Sequence, residues 1–354
     1  MDKVLRVGVV GCGQIAQIAH LPFLNELPGF EVSVICDISP RVLEMVGKRF
    51  GIEKRLLDYR ELVALPELDA VLICNVDHYE VAVAAMSAGK HVMCEKPMAF
   101  NLEQCDAMID ASKSNNVKLM IAYMKRYDPG YEWALPLFNS IENLRLIRVH
   151  DLAGDYHINN EIYDLIEPSD LPDHVIKEAT EKEHYAKVRA IGHEREFLVG
   201  AYGLLLSLCS HDAIILHEAF GAPRRILFAD IYANNHTVAV FEYGHDIRCV
   251  WESGFLIDRT DWDEHLFAYG TNLSVQVKFP FPYLKNAATL VSVNQMEGKA
   301  NVQKEVIVSY DEAFKREWRH FYECVNEDKE PITNGEKGRR DIAFLIDIVK
   351  AAYP

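Results

Sequence analysis

Short apolar runs alternate with amphipathic stretches over the first third of the chain. Runs of strand character fall at Leu5 to Val10, Val32 to Cys36, Ala70 to Cys74, His91 to Cys94 and Leu119 to Ala122. The stretches between them have helical periodicity, and the one from Val81 to Ala88 stops at Gly89, a residue suited to a left-handed helix cap. Parallel strands need crossovers of this kind, so residues 1–124 are expected to form an α/β domain with a doubly wound parallel sheet. From Leu144 the pattern changes to longer alternating runs at Arg145 to His150, Arg225 to Tyr232, Thr237 to Tyr243, Asp246 to Trp251, Glu264 to Tyr269 and Leu273 to Phe279. Turn signals at Asn234-Asn235 and Tyr243 to Asp246 separate neighbouring runs at hairpin distance. Residues 125–335 should therefore be an α+β domain with a large, mainly antiparallel open sheet.

Two segments stand apart from this pattern. The stretch of about 156–198 is acidic, carries several histidines and Pro168 and Pro172, and reads as mostly helical. Either a lid or binding segment, or a solvated helical excursion, fits such an insertion. Near the end, Phe314, Trp318, Phe321, Tyr322 and Val325 share one helical face, and a last helix runs from Gly338 to about Ala352. Residues 336–354 are expected to pack back on the first domain.

Composition narrows the function. A length of 354 residues exceeds what single hydrophobic cores usually reach, in keeping with two domains. With 49% hydrophobic and 25% charged residues the chain has an ordinary globular composition, and no unbroken apolar stretch points to a membrane span. The opening Met-Asp-Lys and the strand-like run after it lack the zones of a signal peptide, so a cytoplasmic location is expected. A formal charge of −16, with no basic stripe, argues against nucleic acid as a partner. The eight cysteines are scattered singly, so neither a disulfide framework nor a metal site is indicated. Cys12, Cys36, Cys74 and Cys94 fall at strand ends and read as small buried hydrophobes.

The chemistry begins at Val9-Val10-Gly11-Cys12-Gly13-Gln14-Ile15-Ala16, where the first strand turns into a helix. Gly11 permits a tight turn, Gly13 lets a pyrophosphate approach the backbone, and Ala16 lets helix and strand pack closely. Gln14 and Ile15 open the helix whose N–H groups and dipole favour an anion. Asp37 ends the second strand at the spacing of a residue that accepts from the adenosine ribose hydroxyls. A carboxylate there repels a 2′-phosphate, so NAD is expected over NADP. Arg41, close by in sequence, pulls the other way or is a solvated first-turn residue.

The run Gly89-Lys90-His91-Val92-Met93-Cys94-Glu95-Lys96-Pro97 follows, and with it the chain resembles the Gfo/Idh/MocA family of oxidoreductases. The likeness extends over nearly the whole length, from the glycine turn through Asn75 to His78, Glu95-Lys96-Pro97 and the terminal helices. It implies a Rossmann domain, with Lys96 as the active-site lysine beside the nicotinamide, and with Asn75, His78, Glu95 and Pro97 near the cofactor. A lysine at the carboxyl edge of such a sheet, pinned by a proline, is also physically suited to donate or accept a proton. The family's second motif places an Asp four residues before a His, and both bond the hydroxyl being oxidised. Here His211 matches the His, but Ser207 stands at the Asp position. Ser cannot take a proton at neutral pH, so the proton would pass through Lys96 and His211, with Asp212 as a candidate helper. Arg126, with Lys125, Asp155 and Tyr156 are further candidates for substrate contact, the arginine for an anionic group unless it pairs with Asp128.

The reading that joins these features is an NAD-dependent oxidoreductase acting on a secondary hydroxyl of a small polyhydroxylated substrate, by resemblance a sugar, inositol or glycoside. A redox-neutral lyase that borrows the same cofactor, or a dinucleotide-binding regulator, remains a rival. A homodimer or homotetramer through the C-terminal sheet is expected from the apolar residues on its second face.

Overall fold

The computed structural model describes residues 4–155, 162–233, 235–256 and 259–354. Tyr156, and part of the turn expected at Asn234-Asn235, lie outside the described residues. The chain divides into two compact units, one made of Met1–Tyr123, Asn159–Ala190 and Phe314–Ile342, the other of Met124–Ile158, Ile191–Ala313 and Ala343–Pro354.

The first unit holds six parallel strands, β1 (Leu5–Val10), β2 (Phe30–Cys36), β3 (Arg55–Leu56), β4 (Ala70–Ile73), β5 (His91–Glu95) and β6 (Leu119–Ala122), in the order β3-β2-β1-β4-β5-β6. The order reverses beside β1, and this reversal opens a crevice at the carboxyl ends of β1 and β4. β4 and β6 are buried along their whole length, as a sheet covered on both faces requires. A π-helical turn (Ala16–His20) leads into α1 (Leu21–Glu26), and crossovers run through α2 (Pro40–Phe50), α3 (Tyr59–Val63), α4 (His78–Ser87) and α5 (Leu102–Ser114). Local chemistry sets their ends. Ser39 caps α2 by accepting from Val42 N, and Gly51 closes it in the left-handed region.

In the second unit an eight-stranded sheet runs β14-β13-β12-β11-β7-β10-β9-β8. Its strands are β7 (Leu146–Gly154), β8 (Arg225–Tyr232), β9 (His236–Gly244), β10 (Ile247–Leu256), β11 (Trp262–Tyr269), β12 (Leu273–Phe279), β13 (Leu290–Glu297) and β14 (Ala300–Ile307). Only the β7–β10 pair is parallel. Burial alternates along β7, β9, β10 and β11, with Ile147, Val149, Phe241, Trp251 and Leu266 on the covered face. The helices of this unit are α6 (Pro129–Asn139), α8 (Val199–Leu204) and α9 (Ser210–Phe220). Further helices among the described residues are α7 (Asp173–Ile191), α10 (Ala313–Asn326) and α11 (Gly335–Ala352).

One stretch is more apolar than its sequence pattern suggests. The helical run His193–Phe220 is long and apolar enough to cross a bilayer by composition, yet 61% of its apolar window is buried within the protein. It also changes hydrogen-bonding pattern along its length, with a π-helical turn at Leu205–Cys209 ahead of α9. Those features fit a core helix of this unit.

Candidate functional site

The glycine turn of the first unit has the space its motif requires. Gly11 has φ +89°, and a Cβ there would lie 2.4 Å from the backbone nitrogen of Asn75, so only glycine fits. A Cβ on Gly13 would meet nothing within 4 Å, which leaves its backbone open to a ligand. Asp37 stiffens the same loop, accepting from Cys12 N at 2.8 Å and from Ser39 N at 2.9 Å. Asn75 donates to the carbonyl of Asp77 at 2.6 Å while its own buried Oδ1 has no hydrogen-bond partner. An open glycine and an orphaned amide oxygen at the carboxyl edge are what a bound dinucleotide would use, so these residues fit the cofactor that the motif implies.

Lys96 lies at the end of β5, between two tethered neighbours. Glu95 accepts from His20 Nε2 at 2.8 Å, and its other oxygen accepts from the Lys96 backbone at 3.0 Å. His20 Nδ1 in turn accepts from the indole of Trp318 at 3.0 Å. An indole N–H can only donate, so Nδ1 carries the lone pair and Nε2 carries the proton that points at Glu95. On the far side, His78 Nδ1 donates to the carbonyl of Pro97 at 2.7 Å. Burial pushes the Glu95 carboxyl up, but the His20 hydrogen bond and the nearby Lys96 charge outweigh it and hold the group below its ordinary range. Glu317 is fully buried near by, and burial, with the charge of Glu95, pushes its carboxyl well above the usual range. Burial lowers His78, against the pull of its Pro97 bond. The thiols of Cys12, Cys74 and Cys94 are all raised by burial, and Cys36 is pushed up to about 12, so none is poised as a nucleophile.

The second unit carries the other motif on its apolar run. Ser207 sits exposed in the π-helical turn and donates to the Leu204 carbonyl at 3.2 Å. His211 lies half-buried in the first turn of α9. Asp212, next in sequence, turns inward and is fully buried. The ligand atoms of Asp151, Cys209 and Asp212 lie within 4.8 Å of one another. Burial, and then the charges of Asp151 and Glu264, push the Asp212 carboxyl well above its ordinary value. Lys125 is fully enclosed with Glu264, which also accepts from Trp262 Nε1 at 2.9 Å. Burial works against the Lys125 charge, but Glu264, Asp151 and Asp212 together raise it. The three grouped donors could cradle an ion by distance. Burial also raises the Cys209 thiol, and the Lys125 charge acts on Asp212 against the push of burial, so the cluster is partly balanced by the protein's own groups.

Arg126 is not matched to Asp128. Its guanidinium faces Glu218 at 3.5 Å and Glu132 at 3.8 Å, while Asp128 caps α6 and accepts from Thr289 at 2.6 Å. Asp155 donates its backbone N–H to the Arg259 carbonyl at 2.5 Å.

Residues 5–123 match the model of the oxidoreductase family GFO_IDH_MocA, described as an NAD-binding Rossmann fold. Inositol 2-dehydrogenase of Salmonella typhimurium is 27% identical over 256 residues, covering 69% of this chain and 70% of the relative. The Rossmann domain of this chain, residues 5–123, belongs to the Gfo/Idh/MocA family. Among its relatives, myo-inositol 2-dehydrogenase of Thermotoga maritima is 33% identical over 150 residues, covering 42% of this chain and 44% of that protein. Levoglucosan dehydrogenase of Pseudarthrobacter phenanthrenivorans is 35% identical over 161 residues, covering 43% and 40%. The fold matches that of KijD10, a 3-ketoreductase from Actinomadura kijaniata solved with NADP and TDP-benzene, at a TM-score of 0.75 and 17% identity over 99% of this chain and 98% of that one. The chain is thus an NAD(P)-binding oxidoreductase.

The Lys125–Glu264 pair of this oxidoreductase is open to a direct test. Removing one partner of a buried ion pair leaves the other charge uncompensated at a cost of about 3–5 kcal/mol. Lys125→Met is expected to lose much of that stability, because the buried Glu264 carboxyl would lose its counter-charge. The double variant Lys125→Met with Glu264→Gln should recover most of it. Denaturant titrations of the three chains measure both, and an additive double variant would mean that the two side chains are not coupled.

Proposed function

We propose that the protein is an NAD-dependent dehydrogenase acting on a secondary hydroxyl of a sugar, inositol or glycoside. The observation that carries this reading is the fixing of Lys96 between Glu95, held by His20, and Pro97, held by His78, at the same sheet edge as the open Gly13. Gly11, Gly13, Gln14 and Ile15 would hold the pyrophosphate, Asp37 the adenosine ribose, and Asn75, His78, Glu95, Lys96 and Pro97 the nicotinamide end. When bound, NAD supplies the hydride acceptor at nicotinamide C4.

The chain's own residues manage the proton. Lys96 Nζ orients the reacting oxygen and takes or shares its proton, and His211 serves as the second proton-handling group. Arg126, Asp155, Tyr156, Ser207 and Asp212 are the remaining candidates for the substrate side. The acids around Arg126 already balance its charge, which favours a neutral polyol over an anionic substrate.

Incubating the protein with NAD and a panel of inositols, aldoses and glycosides should produce reduced cofactor with at least one polyol, in step with a ketone product. Product without reduced cofactor would transfer the reading to redox-neutral chemistry. Absence of both with every polyol, in protein that binds NAD, would leave a dinucleotide-binding regulator.

A further inference from the structure

The acidic insertion docks on the first unit along its carboxyl edge. Gln17, in the helix that follows the glycine turn, exchanges two hydrogen bonds with Ile166, Nε2 to the carbonyl at 2.9 Å and the Ile166 N–H to Oε1 at 3.0 Å. Arg49 holds the Asp164 carbonyl at 2.8 Å. Further on, Lys182 of α7 pairs with Asp77 at 2.7 Å and Glu80 at 3.0 Å, and Asn101 donates to the Ala186 carbonyl at 3.3 Å. The segment is therefore anchored to the helical turn after β1, to the end of α2 and to the segments that follow β4 and β5.

At the loop after β2 this strap does something specific. One oxygen of Asp170 accepts from the Ser39 hydroxyl at 2.5 Å, and the other accepts from the Arg41 backbone N–H at 2.8 Å. The Arg41 guanidinium reaches Ser169 Oγ at 3.4 Å. Asp170 thus sits as an anion on the N-terminus of the eleven-residue helix α2, where the N–H groups and the dipole favour negative charge. The Ser39 hydrogen bond, and after it the Arg41 N–H, hold its carboxyl below the ordinary range, so it is ionised at neutral pH.

In a doubly wound dinucleotide domain the adenosine ribose lies at the end of the second strand, and an arginine just beyond accommodates a 2′-phosphate. Ser39 and Arg41 are the hydroxyl, N–H and guanidinium of such a seat, two and four residues after Asp37. In this chain the seat is filled from within.

We propose that Asp170 is a cofactor-specificity residue: its carboxylate takes the place of the 2′-phosphate of NADP and, with Asp37, restricts the chain to NAD. This rests on the dinucleotide-binding oxidoreductase reading. NADP must displace Asp170 from Ser39 and Arg41 and then face two carboxylates, whereas the 2′-hydroxyl of NAD needs only Asp37.

Calorimetric titration of the full chain with NAD and with NADP tests this in wild type, Asp170→Asn and Asp170→Ala. Asp170→Asn keeps the size of the side chain and removes its charge, so it serves even where the alanine variant unfolds. Affinity for NADP should rise by about tenfold or more, since like-charge juxtaposition is what each variant removes. Affinity for NAD should move by less than about threefold, the scale of a small electrostatic change. Adding Arg41→Ala should cancel much of the gain, because the freed guanidinium is then absent. An unchanged ratio of the two affinities, or a parallel loss of both, overturns the proposal and leaves Asp170 as an anchor of the strap. Wild type that binds neither nucleotide overturns the underlying reading as well, and that result is distinct from the other two.

Discussion

Lys96→Ala is expected to abolish turnover while leaving NAD affinity within about an order of magnitude, because the lysine serves the reacting hydroxyl and the glycine turn serves the pyrophosphate. The flanking contacts make the variant a clean one. His20 and Trp318 hold Glu95, and His78 holds Pro97, through groups that truncation at Lys96 does not touch. Lys96→Arg should stay inactive too, since a guanidinium keeps its proton at any accessible pH and cannot take one from an alcohol. Steady-state rates with NAD and the best polyol, alongside calorimetric NAD titrations, measure both halves. A variant keeping most of its kcat removes Lys96 from the mechanism. A variant that loses NAD binding as well assigns it to the cofactor cradle.

What the sequence disclosed, and what it hid, follows from the range of the interactions. The glycine turn, Asp37 and Glu95-Lys96-Pro97 are legible because each is a local pattern tied to a strand end, and β1, β6, β8 and β12 fall where their apolar runs begin and stop. β14 is missed because it is the edge strand of the sheet with nearly every side chain exposed, so it has no apolar alternation to show. β13 shows only a short alternation before Asn294. The groups that tune the candidate site are hidden for a different reason. His20 meets Trp318 across 298 residues and Lys125 meets Glu264 across 139, and no local periodicity marks either pair. The apolar face of α10 was legible from Phe314, Trp318 and Phe321, but not that its tryptophan would fix a histidine tautomer. Likewise the acidic insertion reads equally as a lid or a solvated helix, and only the bonds from Gln17, Ser39 and Arg41 distinguish a docked segment from a free one.

His211→Ala should lower kcat/KM by roughly two to four powers of ten, the usual contribution of a positioned acid or base. The result is informative because Ser207 stands where the family resemblance leads one to expect an Asp. That hydroxyl, exposed and turned to the Leu204 carbonyl, offers no charge to stabilise an imidazolium at His211. Asp212 is poorly placed to replace the missing acid, because its carboxyl is buried beside Asp151, and burial and that neighbour's charge push it well above its ordinary value and so against ionisation. Asp212→Asn should therefore leave kcat/KM nearly unchanged, since an amide N–H can donate to Asp151 as the carboxylic acid does. Ser207→Asp should restore a charged partner and shift the acidic limb of the pH–rate profile to higher pH, because a carboxylate nearby favours the protonated ring. A loss of activity in Asp212→Asn as large as in His211→Ala would mean that the buried pair feeds the reaction after all. If instead His211→Ala reacts as fast as wild type, His211 has no part in the chemistry, and the second proton-handling group must be sought among the polar residues nearest Lys96.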